Sequence, residues 1–399
     1  MNMPNRFTRR GLLAGLPLLA SLRAAGAPRP GGLKITRFVT HKATLRWRSL
    51  LFLEIHTDGG LIGVGDASLH TRCSVVEEAL RWLEPHLKGL DPAGVEQHWD
   101  RMYYGLTRWR GGPVLVTALS AVDLALSDLE GKRLGVPVWR LLGGSLRPGF
   151  RAYFSHWDRG AKDQSPAGMA ARAQETLAQG WTAVKWAIPR AASEAERIEA
   201  TVRRLEAIRK AVGDKLDLCL ELFESFTVRS AIRFAEAVSP FKPLFIEEPI
   251  QRENPLAFTE VAAKSPVPVA TGEGLLNRYE FRQLLEAKGA TIIQPDVLHC
   301  GGITELRKIA NLAETFGVEV APHQSGGPLG HVASLTAMSV CRNFLIQEWE
   351  ADDDAVFQEL TAGHYPAQKG GLVQLPQGPG LGLAGDFAQF AKRFPYTTG

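Results

Sequence analysis

From about residue 150 onward, short apolar runs alternate with longer segments in which every third or fourth residue is apolar. The runs lie at 151–154, 183–186, 216–221, 244–247, 267–272, 291–295, 318–322 and 344–347. They are short and rich in β-branched and aromatic residues, the mark of buried strands. The segments between them, 194–212 and 227–238 for example, carry a 3.6-residue apolar rhythm that predicts helices. Eight strands spaced by helices predict an α/β fold, a barrel of the (β/α)8 type. The connecting segments share no repeat signature, which excludes a solenoid. Upstream, residues 33–66 predict a three-stranded meander. Its second and third strands flank Asp58-Gly59-Gly60, a strong hairpin signal. Residues 75–87 and 114–134 predict helices, the second broken by Gly131 and Gly135-Val136-Pro137. Asp128 and Lys132, four apart on that helix, are spaced for a surface ion pair. Two loops, 41–48 and 68–72, carry basic and aromatic residues. They are read either as solvated loops or as a lid over an acidic ligand.

The chemistry sits where the apolar runs stop. Leu244-Phe245-Ile246 runs directly into Glu247, Leu218-Cys219-Leu220 into Glu221, and 267–272 into Glu273, so three acids recur at 26-residue intervals. Lys185, Asp296, His323 and Glu348 stand at the ends of other runs. The rim at the C-terminal ends of barrel strands is where active sites are built. Any one of these residues has an ordinary explanation. A lone histidine at a strand end is more often structural, and a lone glutamate is usually solvated. A succession of strands delivering ionisable groups to one rim is different. Carboxylates crowded together repel unless a cation joins them. Three carboxylates with room for water and ligand oxygens describe a Mg²⁺ site.

The first 27 residues carry Arg6, Arg9, Arg10 and Arg23, no acid, an apolar stretch at 11–22 and the small-residue run Ala25-Gly26-Ala27. This reads as a secretory signal, too short for a membrane helix. The Arg9-Arg10 pair with Leu12-Leu13 behind it points to twin-arginine export to the periplasm. The competing reading is a Sec-type signal. The chain is +4, and removing those four arginines takes it to about zero. Nucleic-acid binding, or membrane binding after export, therefore has no electrostatic support. The four cysteines, Cys73, Cys219, Cys300 and Cys341, are widely spaced, which indicates neither a zinc site nor a disulfide framework.

Several stretches together resemble the mandelate racemase subgroup (mandelate racemase/muconate lactonizing enzyme family) of the enolase superfamily, especially its acid-sugar dehydratases such as galactonate dehydratase. They are the run from Asp58-Gly59-Gly60 to Asp66-Ala67, Arg110-Gly111-Gly112-Pro113, Asp128-Leu129-Glu130-Gly131-Lys132 and Leu142-Gly143-Gly144. Phe245-Ile246-Glu247-Glu248-Pro249, Gln294-Pro295-Asp296 and Phe344-Leu345-Ile346-Gln347-Glu348-Trp349 complete the set. The resemblance implies an α+β capping domain over 33–145, a (β/α)7β TIM-like barrel over 150–360 and a segment, 361–399, that returns to the cap. It implies Glu221, Glu247 and Glu273 as Mg²⁺ ligands, Asp296 and His323 as a catalytic dyad, Lys185 facing the substrate carboxylate and Glu348 near the enolate oxygens. The loops 41–48 and 68–72 would read specificity, and the assembly would be a homo-oligomer, a dimer or an octamer. The implied chemistry removes the proton α to a carboxylate with Mg²⁺ and Lys185 stabilising the charge that forms. Loss of a neighbouring hydroxyl then turns an aldonate or aldarate into a 2-keto-3-deoxy acid.

Three positions depart from the family pattern. The first ligand is Glu221 where Asp is usual. Phe223 stands where galactonate-type dehydratases carry a histidine. Ala187 stands where racemases carry the second lysine of Lys-x-Lys. Strand alternation turns the next acid, Glu224, to the other face. With one recognisable base left, the expectation is a syn elimination in which His323 removes the proton and also protonates the leaving hydroxyl. Two other readings use the same residues: an epimerase or racemase working through the same enolate, and a periplasmic carboxylate-binding protein without catalysis. Trp47, Arg48, His70, Arg72 and Trp186 are the candidates for reading the sugar.

Overall fold

The computed structural model describes residues 32–106 and 108–397, so the signal expected over 1–27 lies outside the described residues. Three antiparallel strands open the chain: β1 (Ile35–Leu45), β2 (Arg48–Thr57) and β3 (Ile62–Asp66). β2 is an almost unbroken apolar run because both of its faces are covered. Leu51, Leu53 and Ile55 pack with the helices Cys73–Leu87 and Pro113–Leu134. Phe52, on the opposite face, meets Phe387 of the helix Phe387–Arg393 with ring centroids 4.7 Å apart. The loop expected at 41–48 is mostly strand. Only Arg46 and Trp47 make the turn, and Arg46 is left-handed at φ 56°.

The helix Pro113–Leu134 is buried on most of its surface, lying between the cap sheet and the barrel. Gly63 and Gly65 of β3 let it come close. A Cβ at either would sit 2.2 or 2.1 Å from the carbonyl oxygen of Ala125 or Ala121. Gly131 does not break this helix. The helix runs on to Leu134, and Gly135 ends it in the left-handed conformation that favours glycine. Gly131 is instead where the backbone of Gly380 packs.

Asp128 and Lys132 do pair, at 2.6 Å, but not on the surface. The Asp128 carboxylate is fully buried and also accepts N–H groups from Val64 of β3 (2.9 Å) and Leu381 of the C-terminal segment (2.7 Å). It thus ties the cap helix, the cap sheet and the returning chain together. Asp128→Ala strands two buried donors and is expected to cost on the order of 3 kcal/mol. A fall of several degrees in the thermal midpoint would register this. An unchanged midpoint would show that the latch contributes nothing.

Eight parallel strands follow: β4 (Phe150–Phe154), β5 (Ala183–Ala187), β6 (Asp217–Glu221), β7 (Phe245–Glu247), β8 (Val269–Thr271), β9 (Ile292–Ile293), β10 (Glu319–Val320) and β11 (Gln347–Trp349). They are hydrogen-bonded in the order β10-β9-β8-β7-β6-β5-β4-β11. A parallel bridge between Val320 and Phe344, with Leu345 donating to the Val320 carbonyl at 2.9 Å, closes the ring into a barrel. Helices cover the outside, including Glu194–Val212 and Val228–Val238 where the periodicity placed them. The cap is anchored to the barrel by buried polar contacts. Gly327 donates to Asp66 at 3.0 Å, Thr304 to Asp123 at 3.2 Å, and Trp99 Nε1 to the Gly301 carbonyl at 2.9 Å. All four cysteines are buried free thiols.

Candidate active site

The barrel builds its rim by simple alternation. Each strand sends one residue into a buried interior layer: Tyr153, Ala183, Cys219, Phe245, Ala270, Ile292, Ala321 and Ile346. Side chains on a strand repeat with period two, so the residue two positions on faces the same way, one layer nearer the C-terminal rim. Those residues are Ser155, Lys185, Glu221, Glu247, Gly272, Gln294, His323 and Glu348. Six of the eight are polar or charged residues no more than 4% exposed, an expensive arrangement unless they pair with each other. Gly272 has no side chain to offer. It sits at φ 128°, and the next residue, Glu273, comes to the rim in its place.

Glu221, Glu247 and Glu273 each bring a carboxylate oxygen within 4.8 Å of the other two. Lys185 Nζ lies 2.5 Å from Glu247 Oε1, 2.9 Å from Glu348 Oε1 and 3.9 Å from Glu221 Oε2. Gln294 Nε2 donates to Glu247 Oε2 at 2.6 Å. Glu348 is held by Ser155 Oγ (2.6 Å) and the Gln324 N–H (2.8 Å). His323 Nδ1 meets Asp296 Oδ2 at 2.7 Å, and the Leu298 N–H fixes the other Asp296 oxygen. His323 Nε2 then faces Glu273 Oε2 at 3.3 Å and Glu348 Oε2 at 3.8 Å.

The electrostatics follow from that crowding. Burial, then the Glu247 charge, pushes Glu221 well above the usual carboxylate range. Burial, with the Glu273 charge beside it, raises Glu248 to about 8. Burial also opposes the charged form of Glu348, yet Lys185 and His323 hold its carboxyl below the ordinary value. For Lys185, Glu247 and Glu348 outweigh burial and hold its proton tightly. Glu273, Glu348 and Asp296 do the same for His323. Five carboxylates (Glu221, Glu247, Glu273, Asp296, Glu348) thus face two cationic partners. The donor set is all oxygen and short of positive charge, which fits a hard divalent cation in the Glu221–Glu247–Glu273 cluster.

Above the rim lies a cavity of about 550 Å³ between barrel and cap. Trp47, Arg48, His70 and Arg72 line it, as does Phe223, which projects into it 58% exposed. Of the former loop 41–48, only its end reaches the cavity. His41 pairs with Glu54 and Lys42 with Glu77 in the cap. Trp186 does not line this cavity; it packs its ring on Trp157 and borders the inner hollow beside Lys185. Alternation does not dispose of Glu224. β6 has ended at Glu221, Phe223 and Glu224 are both left-handed (φ 47° and 54°), and Glu224 pairs with Arg252 at 3.3 Å. Three residues at the rim carry no sequence signal strong enough to single them out: Ser155, His156 and Glu350. Period-two counting from Tyr153 finds Ser155. The other two depend on the backbone path after β4 and β11.

Comparison with known proteins agrees along the chain. Residues 33–143 match the model of the mandelate racemase/muconate lactonizing enzyme N-terminal domain, and residues 168–389 match the enolase C-terminal domain-like model. The chain is 35% identical to a D-galactonate dehydratase of Ralstonia nicotianae, over 90% of this chain and 94% of that protein. It is 34% identical to one of Cronobacter sakazakii, with the same coverage. A crystal structure of a mandelate racemase/muconate lactonizing enzyme from Jannaschia sp. superposes with a TM-score of 0.83 at 32% identity, covering 91% of this chain and 98% of that one. A related structure from Roseovarius sp. gives 0.83 at 30%, covering 92% and 96%. Cap, barrel and rim therefore have one origin: the chain belongs to the mandelate racemase/muconate lactonizing enzyme family of the enolase superfamily.

Proposed function

We propose that the protein is a Mg²⁺-dependent acid-sugar dehydratase. It removes the proton α to the carboxylate of an aldonate or aldarate, eliminates the hydroxyl on the next carbon and yields a 2-keto-3-deoxy acid. The observation that carries this is the His323–Asp296 dyad, whose Nε2 faces the three-carboxylate cluster at one rim, 3.3 Å from Glu273. The D-galactonate dehydratase relatives, matched over nearly their whole length, support the same reaction class.

Glu221, Glu247 and Glu273 would hold the ion, which supplies a fixed positive charge for a carboxylate that gains a second negative charge as its α-proton leaves. The remaining work falls to side chains of this chain. Asp296 accepts from His323 Nδ1, so Nε2 is the basic nitrogen and points at the substrate. Lys185, clamped between Glu247 and Glu348, sets a second positive charge at the same rim. Glu348, fixed by Ser155 and the Gln324 N–H, borders the developing enolate. The cap closes the site with Trp47, His70 and Arg72; Arg48 also lines it, with its charge paired to Glu350.

Proton NMR in D₂O, with Mg²⁺ and a panel of aldonates and aldarates, tests the reading. Loss of the C2 proton with a new 3-deoxy methylene signal is the expected result and names the substrate. C2 exchange with inversion and no elimination would move the protein to the epimerases. Silence across the panel, with no Mg²⁺ binding by calorimetry, would leave a carboxylate-binding protein.

A further inference from the structure

On the sequence, His323 has to serve as both base and acid, because Phe223 stands where the family's acid would be. The structure holds a second imidazole at the same rim. Ser155 follows β4 into the barrel, so alternation would turn His156 outward. Its backbone is instead left-handed, at φ 49°, a conformation uncommon for a non-glycine residue. The side chain consequently lines both the wide cavity and the inner hollow that Lys185, Glu221, Phe223, His323 and Glu348 share.

His156 is built like His323. Its Nδ1 lies 2.7 Å from Glu350 Oε1. The other oxygen of Glu350 holds Arg48, a buried cap residue, at 2.5 Å. Burial would raise the Glu350 carboxyl, but His156 and Arg48 keep it below its ordinary value, so the imidazole rests against an ionised carboxylate. That partner fixes Nδ1 as the hydrogen-bonded nitrogen and leaves Nε2 for the cavity. Both histidines line the hollow that holds Glu348. His323 Nε2 is 3.8 Å from Glu348 Oε2, and Ser155, the residue before His156, donates to Oε1 at 2.6 Å.

We propose that His156 is the general acid of the dehydration, with Glu350 and Arg48 as its positioning residues. The proposal rests on the dehydratase reading. His323 Nε2 takes the C2 proton and the C–H electron pair moves onto the carboxylate as an enolate; that pair then returns to form the C2–C3 double bond. The C3–O bond breaks with its pair on oxygen, and the His156 Nε2 proton converts the departing hydroxyl to water. The enol then tautomerises to the 2-keto-3-deoxy acid. His156 ends neutral and His323 protonated, and exchange with solvent resets both. The proton and the hydroxyl are handled by different side chains, so His323 carries one duty rather than two.

The test is His156→Asn in the Mg²⁺-loaded enzyme, in D₂O, with the substrate found in the panel. Exchange of the C2 proton into recovered substrate persists, because His323 is intact. Dehydration falls by roughly 10²- to 10⁴-fold, the usual worth of a positioned acid. The 3-deoxy-3-fluoro analogue separates acid loss from structural damage, since fluoride departs without a proton. The variant turns it over within about tenfold of the unaltered enzyme if only the acid is missing. Glu350→Gln shows the same pattern with a smaller loss. The acid assignment is overturned if His156→Asn dehydrates its substrate normally, or if the fluoro analogue slows as much as the hydroxy acid. An unaltered enzyme inert toward every acid in the panel overturns the dehydratase reading itself, before any variant is made.

Discussion

His323→Asn is expected to abolish C2 proton exchange and dehydration together, each by about 10³-fold or more. The reason is geometric. Asp296 and the Leu298 N–H hold the imidazole so that Nε2 alone meets the site. Asparagine keeps one polar contact to Asp296 but offers no basic nitrogen to the substrate. A side chain that merely held the rim together would, on removal, weaken substrate binding and stability and leave residual exchange. The expected result is the opposite: Mg²⁺ still raises the melting temperature, while proton NMR in D₂O detects neither exchange nor product. Near-normal exchange in this variant would remove His323 from the base role and with it the assignment of the dyad.

Glu247→Gln carries the second large effect. Glu247 is fully buried, with Lys185 2.5 Å from one oxygen and the Gln294 amide 2.6 Å from the other. Both neighbours are donors, so the new amide nitrogen must face one of them, and the central charge of the cluster is gone. An ion that binds only the folded protein stabilises it by mass action, about 2.7 kcal/mol at a hundredfold excess over its Kd. The unaltered protein should therefore melt later with Mg²⁺ and lose activity to a chelator. Glu247→Gln should show neither response and fall to background turnover. A preserved Mg²⁺-induced shift in this variant, read by calorimetry or melting, would place the ion somewhere other than the three-glutamate cluster.

These two variants and the His156 series divide the site by function. On the proposed mechanism, one removes the base, one the charge that makes the α-proton acidic, and one the acid that releases the hydroxyl. Only the last is expected to spare C2 exchange, which makes exchange the measurement that orders the three.

Much of this was determined by the amino-acid sequence alone. Runs of Val, Ile, Leu and Phe followed by an ionisable residue mark the barrel strands and the charged groups at their ends, because a buried strand and its rim have opposite solvation needs. Glu221, Glu247, Glu273, Asp296, His323, Lys185 and Glu348 are legible that way, and the structure brings all seven to one rim. The long helices are legible from their rhythm for the same reason. What alternation cannot reach is whatever depends on backbone hand or on distant contacts. Asp128 reads as a surface pair with Lys132 until Val64 and Leu381, from two other segments, close over it. Gly131 reads as a helix breaker until the backbone of Gly380 packs there. His156 reads as an outward residue after a strand. A single left-handed turn and a glutamate 194 residues away along the chain, itself held by a cap arginine, bring its imidazole into the cavity. Period and polarity are local properties, so the sequence displays them. Which buried carboxylate meets which imidazole is decided only when barrel and cap close on each other.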